Sequence, residues 1–214
     1  MKIVVGHLYP DYLNIYADRG NIAVLAQRAS SRGLELEVRP IGMREAVAEG
    51  SALLAVCGGY QLMGRSYRDF HGVDLPGIGL FPLETVAGDT RMIGDVLLEC
   101  ELEPGMRRTL AGFENHAGRT HLDPGAEPLG RIIAGFGNDG ASGFEGCRVG
   151  RAVGTYLHGP LLPRNPWFAD WLLAQALARR LGEPPQLEPL PDELEREAHV
   201  VSSRRAHARG GRRS

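Results

Sequence analysis

Three cysteines, one lysine and 7% aromatic residues are what this 214-residue sequence has little of, and each scarcity excludes something. Three cysteines at this length build no disulfide framework, so a core must hold the chain, and 43% hydrophobic residues suffice to make one. No apolar run nears the roughly 20 residues that span a bilayer. The opening Met1–Gly6 has no secretory h-region or cleavage site, so the expectation is a cytoplasmic chain without a transmembrane segment. Lysine occurs only as Lys2, and the arginines cluster only near the end, at Arg204, Arg205, Arg209, Arg212 and Arg213. The first 200 residues hold 19 basic residues against all 26 acidic ones, a net of about −7. An acidic body argues against a nucleic-acid enzyme.

What is there alternates between strands and helices at first. Met1–Gly6 reads as a buried parallel strand, followed by a loop and a helical pattern from Arg19 to Ser31 that closes at Gly33. Leu34–Ile41 reads as a strand, Met43–Glu49 as at most two helical turns, and Leu53–Val56 as a fully apolar strand. This order predicts an α/β fold with a doubly wound, mostly parallel sheet. Residues 80–155 add short strand candidates at Leu80–Val86, Met92–Leu102, Gly130–Gly137 and Val149–Leu157, with a hairpin expected across Asn138-Asp139-Gly140. Asn165-Pro166 opens a helix, Asn as N-cap and Pro at the first position, that ends at Gly182. Residues 183–199 read as a Pro-rich linker with a short helix, and 200–214 as a basic disordered tail.

The sharpest chemical feature is Ala55-Val56-Cys57-Gly58-Gly59-Tyr60-Gln61. A thiol between a buried strand and a helix start, with small neighbours two positions either side, has the pattern of a nucleophile elbow. A helix N-terminus would also favour the thiolate. A buried structural cysteine is the alternative, and it is the reading given to Cys100 and Cys147. Among seven histidines, His158 follows the strand Val153–Leu157 at its carboxyl end, the edge where α/β sheets gather catalytic groups. Paired with Cys57 it makes a candidate Cys–His couple. Gly135-Phe136-Gly137-Asn138-Asp139-Gly140 fits G-x-G-x-x-G but precedes a strand, so it reads as hairpin punctuation.

The Cys57 stretch and Gly154-Thr155-Tyr156-Leu157-His158-Gly159-Pro160 resemble the class I glutamine amidotransferases of the cobyric acid synthase type. Leu8-Tyr9-Pro10-Asp11 with Asn14-Ile15-Tyr16, Gly112-Phe113-Glu114-Asn115-His116, and Leu161-Leu162-Pro163-Arg164-Asn165-Pro166 narrow the resemblance. Together the five motifs, in order over residues 1–182, resemble the glutaminase subunits of lipid II isoglutaminyl synthases. The resemblance implies a flavodoxin-like amidotransferase domain over 1–182. It also implies that Cys57 attacks glutamine, that His158 moves the proton, and that Arg91 and Gln61 bind the substrate. Gly58 would supply an oxyanion-hole N–H. It implies no metal and no cofactor in this chain. ATP and Mg would belong to a Mur-ligase-like partner (MurT), which forms a heterodimer with this subunit and holds lipid II.

Two departures from that pattern stand out. His158 is followed by Gly159-Pro160 and not by the x-Glu of many class I enzymes, so a third triad residue comes from elsewhere or the site is a dyad. A family strand ending in an oxyanion-hole turn is missing between Ile41 and Met43. The second departure keeps open a catalytically impaired partner-binding homologue; a corrinoid amidotransferase subunit is a separate alternative.

Overall fold

The computed structural model describes residues 2–8, 16–41 and 51–210. The expected short helix at Met43–Glu49, the junction after Ile41 and most of the first motif lie outside them. The sequence order of parallel-type elements appears at the start: β1 (Lys2–Leu8), α1 (Tyr16–Ser30) and β2 (Glu35–Ile41), with β1 and β2 paired in parallel from Lys2↔Glu35 to Leu8↔Ile41. After β3 (Leu53–Val56) and the short α2 (Gly58–Leu62) the pattern changes.

The expectation of a mostly parallel sheet is overturned: the pairing is mixed and mostly antiparallel. The largest sheet has the order β5-β4-β6-β8-β9, with β7 also on β6; β4 is Ser66–Arg68, β5 Asp74–Pro76, β8 Gly130–Ala134 and β9 Phe144–Glu145. Its centre is one hairpin of β6 (Leu83–Glu103) and β7 (Met106–Leu122). Only Pro104 and Gly105 join these strands, Gly105 at φ 77°, and so short a link permits antiparallel pairing alone. A parallel neighbour needs a crossover of about a dozen residues or more.

Parallel pairing survives where crossovers are long. β3 pairs in parallel with β11 (Ala152–Thr155), and β10 (Cys147–Val149) completes that three-stranded sheet antiparallel to β11. β4 and β6 are parallel as well. Among the described residues the β1–β2 pair and the β3-containing sheet are separate.

Apolar residues of the hairpin, of β11 and of the helix opened by Pro166 make the main core. Val96, Leu98, Leu110, Val153, Leu157, Phe168 and Trp171 form one cluster that joins the hairpin and β11 to α3 (Pro166–Leu181). Asn165 precedes α3 as expected but does not cap it. Its fully buried amide instead takes the N–H of Ala111 (2.9 Å) and donates to the carbonyls of Ala111 (2.8 Å) and Leu161 (2.7 Å), fastening β7 to the helix entry. Burial among backbone partners outweighs the local cap. α4 runs unbroken over Glu193–Gly210, through residues the charge pattern assigns to a tail, and buries Ala206 with Leu97, Ala111 and Ala134. No described helix is long and apolar enough to cross a membrane.

Candidate active site

The β3–α2 junction is strained. Cys57 has φ 52° and ψ −113°, and among the described residues it is the only non-glycine with positive φ. Such a backbone costs on the order of 1–3 kcal/mol and persists only where its surroundings hold it. Here the Cys57 N–H donates to the Thr155 carbonyl (2.8 Å), and its own carbonyl accepts the Gln61 N–H (3.1 Å). The register Ala55↔Gly154 and Val56↔Thr155 then places Cys57 and His158 beyond the ends of two adjacent parallel strands, on one edge.

Small residues make this approach fit. A Cβ on Gly154 would stand 2.1 Å from the Tyr60 ring, so the first residue of the turn that packs inward needs that glycine. A Cβ on Gly58 or Gly59 would meet nothing within 4 Å. The described residues therefore do not crowd these two positions.

His158 is half-buried and gripped by β7. Its N–H donates to the Phe113 carbonyl (2.9 Å), the Phe113 N–H donates back (3.1 Å), and the two rings meet edge to face at 5.9 Å. Burial, then the nearby His116 and Arg164, hold its pKa below the usual histidine value, with Glu114 opposing. The imidazole is thus biased toward the neutral form that accepts a proton.

Behind it lies a buried polar layer. Glu114 is fully buried and accepts the backbone N–H groups of Phe136 (2.6 Å) and Gly137 (3.0 Å). The glycine-rich run 135–140 therefore wraps a carboxylate of its own chain, which explains its composition without a phosphate. His116 donates from Nδ1 to the Gly118 carbonyl (2.9 Å), sets Nε2 3.5 Å from Glu114 Oε2, and stacks flat on Tyr156 at 3.5 Å. The Tyr156 hydroxyl joins a chain running from Gln61 Nε2 (3.1 Å) to Thr120 (2.6 Å) and Thr85 (2.8 Å).

Of the residues singled out in the sequence, Cys57, Gly58 and Gln61 share one turn and His158 shares their sheet edge. Arg91 sits at the register shift of the hairpin between Ala87 and Met92, exposed, with Nε on Asn115 Oδ1 (2.8 Å) and Nη2 on the Asn115 carbonyl (2.9 Å). That docks it on the Glu114–His116 run whose buried members face His158 and Tyr156. Cys100 and Cys147 are buried, and burial pushes both thiols up to about 12, as packing residues require. Among the described residues no His, Cys, Asp and Glu group is arranged to hold a metal ion. Sequence reasoning missed Glu145, a fully buried carboxyl in β9 on Thr155 and Tyr156; it lies in a glycine- and serine-rich stretch whose pattern gives no sign of burial.

The profile of the CobB/CobQ-like glutamine amidotransferase domain matches residues 34–166, from β2 past His158 to the entry of α3. The chain belongs to that family. This amidotransferase is 32% identical over 242 aligned positions to the lipid II isoglutaminyl synthase (glutamine-hydrolyzing) subunit GatD of Staphylococcus aureus, covering 96% of this chain and 97% of that one. The Streptococcus pneumoniae subunit of the same name is 30% identical, with 92% and 88% covered. A cobyric acid synthase of Synechococcus is 35% identical but covers 71% of this chain and 29% of its own length. The 242 aligned positions exceed the 214 residues here, so the Staphylococcus protein has segments with no counterpart in this amidotransferase.

Proposed function

We propose that this amidotransferase is the glutaminase subunit of a lipid II isoglutaminyl synthase. The observation that carries the reading is the strained Cys57 elbow after β3, in parallel register with β11, whose end at Thr155 precedes His158. End-to-end likeness to the GatD subunits, against one-third coverage of a cobyric acid synthase, supports the substrate assignment.

In this reading His158, neutral through burial, takes the Cys57 thiol proton, and the sulfur adds to the side-chain carbonyl of glutamine. The carbonyl oxygen becomes an oxyanion facing the Gly58 N–H. As the tetrahedral species collapses, the C–N bond breaks, His158 returns the proton to the leaving nitrogen, and ammonia departs from a γ-glutamyl thioester. Water, deprotonated by His158, then cleaves the thioester to glutamate and restores Cys57. The Arg91 guanidinium pairs with the substrate α-carboxylate, and Gln61 lines the same pocket. Ammonia passes to a Mur-ligase-like partner, which uses ATP and Mg to activate the D-glutamate carboxyl of lipid II for amidation to D-isoglutamine. This takes place in the cytoplasm.

One observation favours a second reading, an impaired partner-binding homologue. Among the described residues the β1–β2 pair is separate from the β3 sheet, and the relative's alignment is longer than this chain. A lost oxyanion donor is worth about 3–4 kcal/mol of barrier, or about 100- to 1000-fold in rate. The test mixes the chain with its ligase partner, ATP and glutamine and follows glutamate release. The reading expects turnover that Cys57→Ser abolishes. Stable complex formation with no glutamate release would establish the impaired homologue instead.

A further inference from the structure

Glu145 is an expensive residue with no task in the mechanism above. It is fully buried, and Oε2 has no hydrogen-bond partner among the described residues. Burial pushes the carboxyl up to about 7, against the bonds from Thr155 and Tyr156 that favour its ionised form. An apolar side chain of similar volume would fill the position at less cost.

What the carboxyl touches is specific. Oε1 alone accepts both the Thr155 hydroxyl (2.6 Å) and the Tyr156 backbone N–H (2.7 Å). The same Thr155 hydroxyl accepts the Leu157 N–H (3.0 Å). One oxygen therefore fixes three consecutive residues, directly or through one hydroxyl. On one side the Thr155 carbonyl holds the strained Cys57 N–H (2.8 Å); on the other, Leu157 is followed by His158. The Tyr156 hydroxyl, on the middle residue, holds the Gln61 side chain. The route from the Cys57 N–H through the Thr155 carbonyl and along the chain to His158 runs through the segment that Glu145 grips. A displacement of about 1 Å between reacting groups is enough to cost about 100-fold in rate.

We propose that Glu145 is a positioning residue that sets the separation of Cys57 and His158 by clamping Thr155–Leu157. The inference rests on the reading of Cys57 and His158 as the reacting pair. Glu145 itself touches neither substrate nor sulfur.

The experiment is the rate of Cys57 alkylation by a diazoketone analogue of glutamine, followed by intact mass across pH on the full chain. Glu145→Ala is expected to slow labelling about tenfold or more and to move the midpoint of its pH profile. Glu145→Gln, whose amide oxygen accepts the same two bonds, is expected to recover most of the lost rate. Thr155→Val, which keeps the volume and removes the hydroxyl, is expected to slow labelling too, and it serves if Glu145→Ala does not fold. Leu173→Ala, in the separate cluster with Ile3 and Ala29, supplies a comparable loss of melting temperature with wild-type labelling. Wild-type rate and pH midpoint in both Glu145→Ala and Thr155→Val would overturn the clamp, as would equal slowing in Leu173→Ala. Absence of labelling at wild-type Cys57 would remove the Cys57–His158 reading and the clamp with it.

Discussion

Replacing Arg28 by methionine is expected to destabilise the protein by about 3 kcal/mol. The Arg28 side chain is 2% exposed and binds two carboxylates at once: Asp170 through Nε and Nη2 (both 2.7 Å), and Asp192 through Nη1 (2.5 Å) and Nη2 (3.0 Å). It thereby ties α1 to α3 and to the residue just before α4. Methionine can follow the alkyl stem, so the loss is chiefly electrostatic. Removing one partner of a buried pair costs about 3–5 kcal/mol, because a charge is left stranded. Asp170 keeps Arg32 (2.8 Å) and is 25% exposed, while Asp192 is 14% exposed, so water reaches both and the lower end of that range applies. At this chain length the melting temperature should fall by about 6–12 °C. Burial works to raise the Asp170 carboxyl, but Arg28 and Arg32 outweigh it and hold the pKa below the ordinary 3.8. A depressed carboxylate contributes stability above its unfolded pKa and loses it as pH falls through the folded one. The gap between wild type and Arg28→Met should therefore be full at pH 7 and shrink below about pH 4. Urea unfolding followed by Trp171 emission, beside Asp170, reads it. A difference under about 1 kcal/mol at pH 7, or a gap that widens in acid, would refute the reasoning. Adding Asp192→Asn to Arg28→Met should restore about 1 kcal/mol by removing the stranded charge.

Four further outcomes follow from the site. Because burial holds the His158 pKa below 6.5, the acid limb of glutamine hydrolysis should have its midpoint below 6.5, and Arg164→Met, which removes a nearby positive charge, should move it upward in a kcat/KM profile. Gly154→Ala forces a methyl into the Tyr60 ring and should cost about 1–3 kcal/mol in a melting experiment. Gly59→Ala meets no atom of the described residues and should leave the melting temperature unchanged or raised, while raising the KM for glutamine through the space it fills. Arg91→Met, at an exposed position, should raise KM at least tenfold with little change in kcat or stability, and an unchanged KM would remove its assignment to the substrate carboxylate.

The local parts of this molecule were legible in its sequence. β3, the Cys57 turn and the helix opened by Pro166 depend on neighbours a few residues away, and each falls where apolar runs, glycines and the Asn-Pro pair put it. Strand direction was not legible, because alternation within a strand is the same whichever way its neighbour runs. Leu80–Val86 and Met92–Leu102 read as separate strands because Gly88 and Asp89 interrupt them; in the fold they are one β6 with a register shift. A Cβ on Gly88 would lie 2.9 Å from the Ala117 carbonyl, so that glycine serves close approach within a hairpin and not its end. The part of α4 beyond residue 199, read as a tail, was hidden for a related reason. Its composition is polar and basic, and what orders it is distant in sequence: Asp192 on Arg28, and Ala206 in the cluster with Leu97 and Ala111. Glu145 looks in the sequence like a surface acid, and only tertiary pairing buries it.

The antiparallel hairpin is the bulk of the largest sheet, yet the site depends on the four-residue parallel ladder of β3 and β11. A ladder that short is weak by itself, and the elbow adds strain of about 1–3 kcal/mol. The surroundings therefore have to over-determine it, and they do so from three sides. Below, Ala55 opposite Gly154 leaves the room in which the Tyr60 ring closes, edge to face with Phe81 and Tyr156. Behind, Glu145 clamps Thr155–Leu157. Across, β7 grips His158 through two backbone bonds from Phe113. The long hairpin thus acts as a wall that fixes where the parallel strands end. That division explains how most of the sheet can be antiparallel while the chemistry stays on a parallel edge, since only residues 55–57 and 154–158 need the parallel geometry.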